Sequence, residues 1–253
     1  MHMSDGLLDA PTSVAFLVVA AIGVAIALVK ARQDLDDRTA PMAGLVATFV
    51  FAVQMLNFPV LPGVSGHLLG GALAAILVGP WVGALCIAIV LAVQALAFAD
   101  GGLSAIGANV TNLALIGTAA GFLIALALRG LARRGKAGLV AVAFTAAFGS
   151  TVIASLGFVL EYAIGGDPAF GLGGIAATVV GVHALIGIGE GVITALTVGA
   201  VAAVRPDLVH LLRGARTPLV VREGRRREEP RVLARVPARR ARARGWSVLF
   251  GLQ

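Results

Sequence analysis

Long apolar runs, separated by short breaks rich in Gly, Pro or charge, constrain this 253-residue chain more than any other feature. A helix that crosses the hydrocarbon core of a bilayer needs about 20 mostly apolar residues. Here 58% of the residues are hydrophobic and 13% are charged, whereas an average soluble domain has about 25% charged residues. The composition therefore disfavours a soluble globule and predicts an all-α, polytopic membrane helix bundle.

Seven of these runs are predicted to span the membrane. They cover residues 11–30, 40–56, 67–80, 83–99, 107–129, 138–163 and 174–204. The third run is short and Gly-rich, so we expect a half-span packed against protein, where irregular backbone is tolerated at membrane depth. Residues 1–5 contain no Lys or Arg, which argues against a cleaved signal peptide and predicts that Met1 is retained.

The loops between the runs differ in basic residues. Those that carry Lys or Arg are residues 30–39, residues 129–137 and the region after 204, and those that carry none are residues 57–66, 100–106 and 164–173. Lys and Arg concentrate in cytoplasmic loops. With seven spans the two sets alternate, which predicts a multi-pass protein of the cytoplasmic membrane with its N-terminus outside and its C-terminus in the cytoplasm.

The C-terminal end is basic. Residues 222–253 hold ten Arg and three Glu, which accounts for the whole formal net charge of +7. Blocks of like charge repel one another, so residues 205–253 are predicted to be a disordered cytoplasmic tail after a membrane domain of residues 1–204. Such a tail suits the anionic headgroups of the lipid bilayer. A nucleic-acid surface is not predicted, because stacking aromatics are few.

Residues 130–137 resemble a nucleotide-binding loop in part. That loop needs a preceding strand, and a Ser or Thr after its Lys to hold magnesium. Ala137 follows Lys136 in this chain, and a membrane run comes before the segment. We therefore expect no ATP site and no catalytic activity in this chain.

Histidine at position two suggests a metal chelate. The Met1 amine, the deprotonated amide nitrogen of His2 and Nδ1 of its imidazole can close fused rings around one ion. A fourth imidazole would complete a square-planar site, which suits Ni(II) or Cu(II). His67 is the candidate, because it opens the third run at the same predicted membrane face. The Pro- and Gly-rich segment of residues 57–71 is either a platform that presents His67 to the N-terminus or a tight turn with Ser65 as the cap of the next helix. His210 is expected to be cytoplasmic and solvated.

Four ordered blocks carry a resemblance to a known family. They are MHMSDGLL at residues 1–8, SGHLLGG at residues 65–71, DGG and GAN within residues 100–109, and HALIGIGE at residues 183–190. Through these blocks the chain resembles the CbiM/NikM family, the substrate-capture components of energy-coupling-factor transporters for cobalt and nickel. The resemblance extends from residue 1 to about residue 204.

This resemblance implies a seven-helix bundle that captures Co(II) or Ni(II) at the outer face. It also implies uptake driven by partner ATPase subunits through a membrane coupling subunit, with a small accessory membrane subunit as a further partner. By residue, the ligands carry over to the Met1 amine, to the amide nitrogen and imidazole of His2, and to the imidazole of His67. The sequence leaves the choice between nickel and cobalt open.

Further polar residues are candidates for supporting these ligands. An ionisable residue inside a span normally faces the bundle interior with a partner, and a metal-bound histidine usually needs an outer hydrogen-bond acceptor. His183 and Glu190 are seven residues apart and thus on one helix face. The candidates, with a purely structural role as the alternative, are Ser65, Asp100, Asn109, His183 and Glu190.

Two other functions stay open at this point. A capture component for a non-metal small molecule such as a vitamin would want an aromatic or polar pocket near the outer face. The outer loops offer few aromatic residues beyond Phe58 and Phe170. A membrane-embedded enzyme would need a positioned acid and base, and His183 with Glu190 is the one such pair predicted within a span.

Overall fold

The structure is a computed structural model, and it describes residues 1–169 and 171–213. It begins with a short strand, β1 (His2–Met3), and two helices, α1 (Ala10–Asp34) and α2 (Thr39–Gln54). A hairpin of β2 (Phe58–Leu61) and β3 (Val64–Gly66) leads to α3 (Gly71–Val78) and α4 (Pro80–Ala97). The later elements are α5 (Ile106–Ala127), α6 (Arg129–Ala132), α7 (Lys136–Gly165), α8 (Leu172–Val204) and two 3-10 turns at Pro206–Leu208 and His210–Leu212.

Each of the seven predicted runs contains a helix. Five helices, α1, α4, α5, α7 and α8, are long and apolar enough to cross a membrane. Helix α2 has 16 residues, and α3 has eight, which gives it a length of only about 12 Å. The mostly helical fold is thus as predicted, whereas seven complete crossings and the orientation of the termini stay predictions.

Helix α3 is hydrophobic on all sides, and all eight of its residues are buried. A helix of this kind belongs in the interior of a bundle, and α3 packs against α4 and α5. Gly79 ends the helix with φ at +94°, a left-handed conformation that glycine adopts without a steric penalty. The third run is therefore enclosed by protein, as its length and glycines suggested.

The three strands form a small antiparallel sheet in the order β1-β3-β2. His2 is paired with Ser65, and Met3 is paired with Val64. The sequence does not predict this sheet, and its structural alternative for Ser65 is a helix cap. That prediction is wrong, because Ser65 lies inside β3 and α3 begins only at Gly71.

Helix α5 contains a π-helical stretch, Val110–Gly117, between two α-helical parts. A π-helix shifts the hydrogen-bond pattern of the backbone by one residue, and such segments often lie at functional sites. The carbonyl of Gly117 accepts a hydrogen bond from Ser150 Oγ on α7 at 2.7 Å. The irregular segment is therefore stabilised from the neighbouring helix.

Residues 206–213 fold back against the bundle, although the predicted tail begins at residue 205. Val209 and Leu211 are buried, and Arg129 Nε donates to the carbonyl of Leu211 at 3.0 Å. The ring of His210 lies 6.1 Å from that of Phe122, so the expectation of a solvated His210 is wrong. The predicted disorder of residues 214–253 lies outside the described residues.

Candidate metal centre

The first nine residues lie across the loops at one end of the bundle, and backbone hydrogen bonds hold them there. In addition to the pairing of β1 with β3, the N–H of Ser4 donates to the carbonyl of Gly63 at 2.9 Å. The N–H of Asp9 donates to the carbonyl of Gly165 at 2.7 Å. These bonds attach the segment at both of its ends, so its position relative to the bundle is defined by the main chain.

Asn109 occupies the free edge of β1 and takes the place of a further strand. Its Oδ1 accepts from the N–H of Met3 at 2.8 Å, and its Nδ2 donates to the Met3 carbonyl at 3.1 Å. The N–H of Gly102 donates to the same carbonyl at 2.8 Å. Asn109 therefore holds the N-terminal strand from the side opposite β3.

Two glycines let the N-terminal segment lie close to the loop before α5. Gly101 has φ at +90°, which L side chains rarely adopt. A Cβ atom added to Gly102 would lie 2.3 Å from the backbone nitrogen of Asp5. The loop can therefore support the N-terminus only if position 102 carries no side chain.

The imidazoles of His2 and His67 lie side by side beneath this segment. Their ring centroids are 4.4 Å apart, and their planes are inclined by 50°. His2 is 2% exposed, His67 is 1% exposed, and Met1 is completely buried. Nε2 of each ring is buried and has no hydrogen-bond partner within the described part of the chain. Two ring nitrogens are thus left without the partners that buried polar groups normally have.

The contact of His67 Nδ1 identifies which of its nitrogens is free to bind a metal. Nδ1 lies 2.8 Å from the carbonyl oxygen of Leu68. A carbonyl only accepts hydrogen bonds, so Nδ1 must carry the proton. Nε2 then presents an unshared lone pair, which is the usual state of a metal-ligating histidine whose other nitrogen donates to a backbone carbonyl.

His2 is oriented by Asp100. Its Nδ1 lies 3.0 Å from Asp100 Oδ1, while Asp100 Oδ2 accepts from Asn57 Nδ2 at 2.7 Å. In this orientation Nε2 is the free nitrogen of His2, whereas the chelate predicted from the sequence uses Nδ1. That chelate requires the ring to turn about the Cβ–Cγ bond, away from Asp100.

Burial sets the charges of the candidate ligands. Burial lowers the pKa of the Met1 amine well below its ordinary value, although Asp100 and Glu190 act in the opposite direction. Burial also lowers the pKa of His2, against the hydrogen bond to Asp100. For Asp100, burial favours the neutral acid, but the hydrogen bonds and the charge interactions around it outweigh that effect and lower its pKa. The amine and the His2 ring are thus inclined to be neutral next to an ionised carboxylate, and metal ligands must be deprotonated to bind.

Glu190 on α8 fixes the segment that follows His67. Its two oxygens accept from the N–H groups of Leu69 and Gly70, at 2.7 and 2.9 Å. Thr151 Oγ1 donates a third hydrogen bond at 3.0 Å. The carboxylate therefore binds the backbone between His67 and α3, where those N–H groups have no helical partner.

His183 and Glu190 on α8 have different hydrogen-bond partners. Nδ1 of His183 contacts the carbonyl of Val179 at 2.7 Å, and its buried Nε2 has no hydrogen-bond partner in the described residues. His183 and Glu190, which the sequence placed on one face, do not share a hydrogen bond. Their roles as supporting residues stay predictions.

Within residues 1–169 and 171–213, no group of three or more His, Cys, Asp or Glu side chains has a geometry that could hold a metal ion. The candidate centre is of a different kind, since two imidazoles are combined with main-chain nitrogens of Met1 and His2. Asn57 and Thr151, which contact Asp100 and Glu190, were not predicted as site residues. Neither belongs to a motif, so only its polar residue type could have indicated a role in the site.

The chain is similar to known proteins both in sequence and in structure. The profile of a family described as "Cobalt uptake substrate-specific transmembrane region" matches residues 2–208. The cobalt transport protein CbiM of Sorangium cellulosum is 31% identical over 223 residues, which cover 85% of this chain and 97% of that protein. The fused nickel transport protein NikMN of Rhodobacter capsulatus is 35% identical over 137 residues, covering 54% of this chain and 38% of that protein. The crystal structure of a truncated transition metal transporter superposes with a TM-score of 0.70 at 25% identity, covering 80% of this chain and 99% of that one.

Proposed function

Because this chain belongs to the CbiM family of cobalt and nickel transport proteins, we propose that it is the substrate-capture component of an energy-coupling-factor transporter. In this proposal it binds Ni(II) or Co(II) at the outer face of the cytoplasmic membrane. ATPase subunits, joined to it through a membrane coupling subunit, drive the uptake, and a small accessory membrane subunit completes the assembly. The chain itself has no catalytic role and no ATP site.

One observation carries this proposal. The antiparallel pairing of His2 with Ser65 places the His2 ring 4.4 Å from the His67 ring, and Nε2 of His67 is buried with no hydrogen-bond partner among the described residues. Imidazole is the commonest metal ligand among side chains. The backbone at the start of the chain thus supports the donor atoms that a metal ion would need.

The proposed donors are the Met1 amine, the amide nitrogen and Nδ1 of His2, and Nε2 of His67. Three of them belong to two consecutive residues that the sheet already holds in place, so few independent groups must be ordered when the ion binds. His2 exchanges its hydrogen bond with Asp100 for the metal by turning its ring. Four nitrogen donors in a plane suit Ni(II).

The supporting roles follow from the contacts of each residue. In the proposal Asp100 neutralises the charge of the bound ion, Asn109 holds β1, and Glu190 holds the segment after His67. Ser65, whose buried Oγ has no partner in the described residues, and His183 line the site. We place seven membrane crossings in residues 1–204, with the N-terminus outside, and a cytoplasmic tail after them.

The proposal is tested by titrating the purified chain with NiCl₂ and CoCl₂ in three forms. The first has a free amine on Met1, the second carries Gly-Ser before Met1, and the third carries Gly-Ser after Gln253. We expect binding to the first and third forms and its loss in the second, because an amide replaces the amine and Met1 has no exposed surface. Equal metal binding by all three forms would refute the nitrogen chelate.

A further inference from the structure

One buried acid outside the metal centre has fewer hydrogen-bond donors than it needs. Glu161 on α7 is 1% exposed, and its Oε2 accepts from Asn112 Nδ2 on α5 at 2.6 Å. Oε1 of Glu161 and Oδ1 of Asn112 are both buried without a hydrogen-bond partner among the described residues. The pair therefore has two unsatisfied acceptors and no donor for either of them.

No further hydrogen-bond partner of the two side chains lies among the described residues. Asn112 lies in the π-helical stretch of α5, and a Cβ atom added to Gly157 on α7 would come within 2.5 Å of Asn112 Oδ1 and 2.9 Å of Ile116 Cδ1. The two helices thus approach closely around the pair. Within the described part of the chain, the Asn112 amide is the sole polar or charged group that interacts with the Glu161 carboxyl.

An ionised carboxylate with one hydrogen bond is strongly disfavoured in such an interior. A single proton removes both defects at once. On Oε1 it creates an O–H donor, and Asn112 Oδ1 is the acceptor that lacks a donor. A carboxylic acid and a primary amide then exchange two hydrogen bonds around one ring, and every polar atom of the pair is satisfied.

We propose that Glu161 and Asn112 form a proton-binding site between α5 and α7, with the proton shared between Glu161 Oε1 and Asn112 Oδ1. The site is separate from the nitrogen donors and does not depend on the function proposed above. The pair does not form a cation site, because it offers two oxygen ligands, whereas a hard cation such as Ca²⁺ is coordinated by roughly six to eight.

Glu190 provides an internal contrast. It is buried to a similar degree, at 2% exposure, but it accepts hydrogen bonds from two backbone N–H groups and from Thr151. These donors stabilise a carboxylate. The three donors around Glu190 therefore favour the ionised form, whereas Glu161, with a single donor, is expected to be protonated.

Infrared spectroscopy of the full chain in lipid nanodiscs at neutral pH tests this site. We expect the carbonyl-stretching band of a protonated carboxyl group, its shift on transfer to D₂O, and its disappearance in Glu161→Gln. Asp167→Asn, which removes a partly exposed carboxyl, is the control and should leave the band unchanged. Absence of the band in the parent chain, or its persistence in Glu161→Gln, would overturn the proposal.

Thermal unfolding supplies a second readout. Glutamine reproduces both hydrogen bonds of the protonated pair, so Glu161→Gln should melt at the same temperature as the parent chain, whereas Glu161→Ala should melt lower. Nickel binding by Glu161→Gln should be unchanged. A lower melting temperature for Glu161→Gln would indicate an ionised carboxylate. Stabilisation of the parent chain by sodium chloride but not by choline chloride would indicate a cation site, and either result would overturn the proposed proton site.

Discussion

The ring of His2 lies 4.4 Å from the ring of His67, although the two residues belong to distant parts of the chain. Their proximity comes from the backbone, because His2 is paired with Ser65 in the sheet and His67 follows two residues later. Strand pairing fixes register to a single residue. Nδ1 of each ring contacts an oxygen of another residue, whereas Nε2 of each ring has no hydrogen-bond partner among the described residues.

Removal of the second imidazole should therefore abolish tight metal binding. Loss of a residue that is hydrogen-bonded to a metal ligand weakens metal binding by roughly 10–100-fold. We expect His67→Ala to weaken nickel binding by more than this, because it removes one of the four proposed donors themselves. Isothermal titration calorimetry on the purified chain measures this. His210→Ala, at the opposite end of α3, should bind nickel normally, and equal loss in both variants would point to a general folding defect.

The close approach of the N-terminal segment to the loop before α5 leads to a second prediction. Gly102→Ala places a Cβ atom 2.3 Å from the Asp5 nitrogen, so the segment must move away and take Met1 and His2 with it. Nickel affinity should fall at least tenfold, which corresponds to about 1.4 kcal/mol. Gly189→Ala meets no atom within 4 Å and should bind as the parent chain does. Unchanged affinity in Gly102→Ala would mean that this loop does not position the ligands.

The sequence predicted the helices better than the site. Each of the seven apolar runs contains a helix, since the cost of exposing polar backbone in lipid leaves few other structures. The donor residues were recognisable from their types and positions. By contrast, β1 has two residues and β3 has three, which is too short for an alternating pattern to reveal a strand.

Side-chain orientation was equally inaccessible from the sequence. The contact of His2 Nδ1 with Asp100 depends on where a loop nearly one hundred residues later passes, and the role of Asn109 depends on the position of the Met3 backbone. Neither relationship leaves a trace in local composition. Residue types thus identified candidate donors, while their partners required the tertiary structure.

Glu190 should contribute to stability through the backbone it binds. In Glu190→Gln one acceptor oxygen becomes an NH₂ group that faces a backbone N–H, and the remaining hydrogen bonds lose their charge. A hydrogen bond to a charged group contributes about 1.5–3 kcal/mol, so we expect a loss of roughly 2 kcal/mol or more in the free energy of unfolding. Denaturant titration in mild detergent measures it. Thr151→Val removes one of the three donors and should lower the free energy of unfolding by a smaller amount. An unchanged free energy of unfolding in Glu190→Gln would show that the Glu190 carboxyl is protonated in the parent chain.

Proton release on metal binding distinguishes this site from a flexible N-terminal chelate. The pKa of the Met1 amine is lowered well below its ordinary value, and that of His2 is lowered as well, both by burial. Both groups are therefore shifted toward their neutral forms, which leaves the His2 amide as the proposed donor that must still lose a proton. We expect about one proton per nickel ion, measured by calorimetry in two buffers of different ionisation enthalpy. Affinity should then fall about tenfold per pH unit near neutrality, because one proton is released, and more steeply once the pH drops through the lowered pKa values of the amine and of His2. A free peptide of residues 1–4 keeps an ordinary, protonated amine and should release close to two protons, so release of two by the intact chain would contradict a buried, neutral amine.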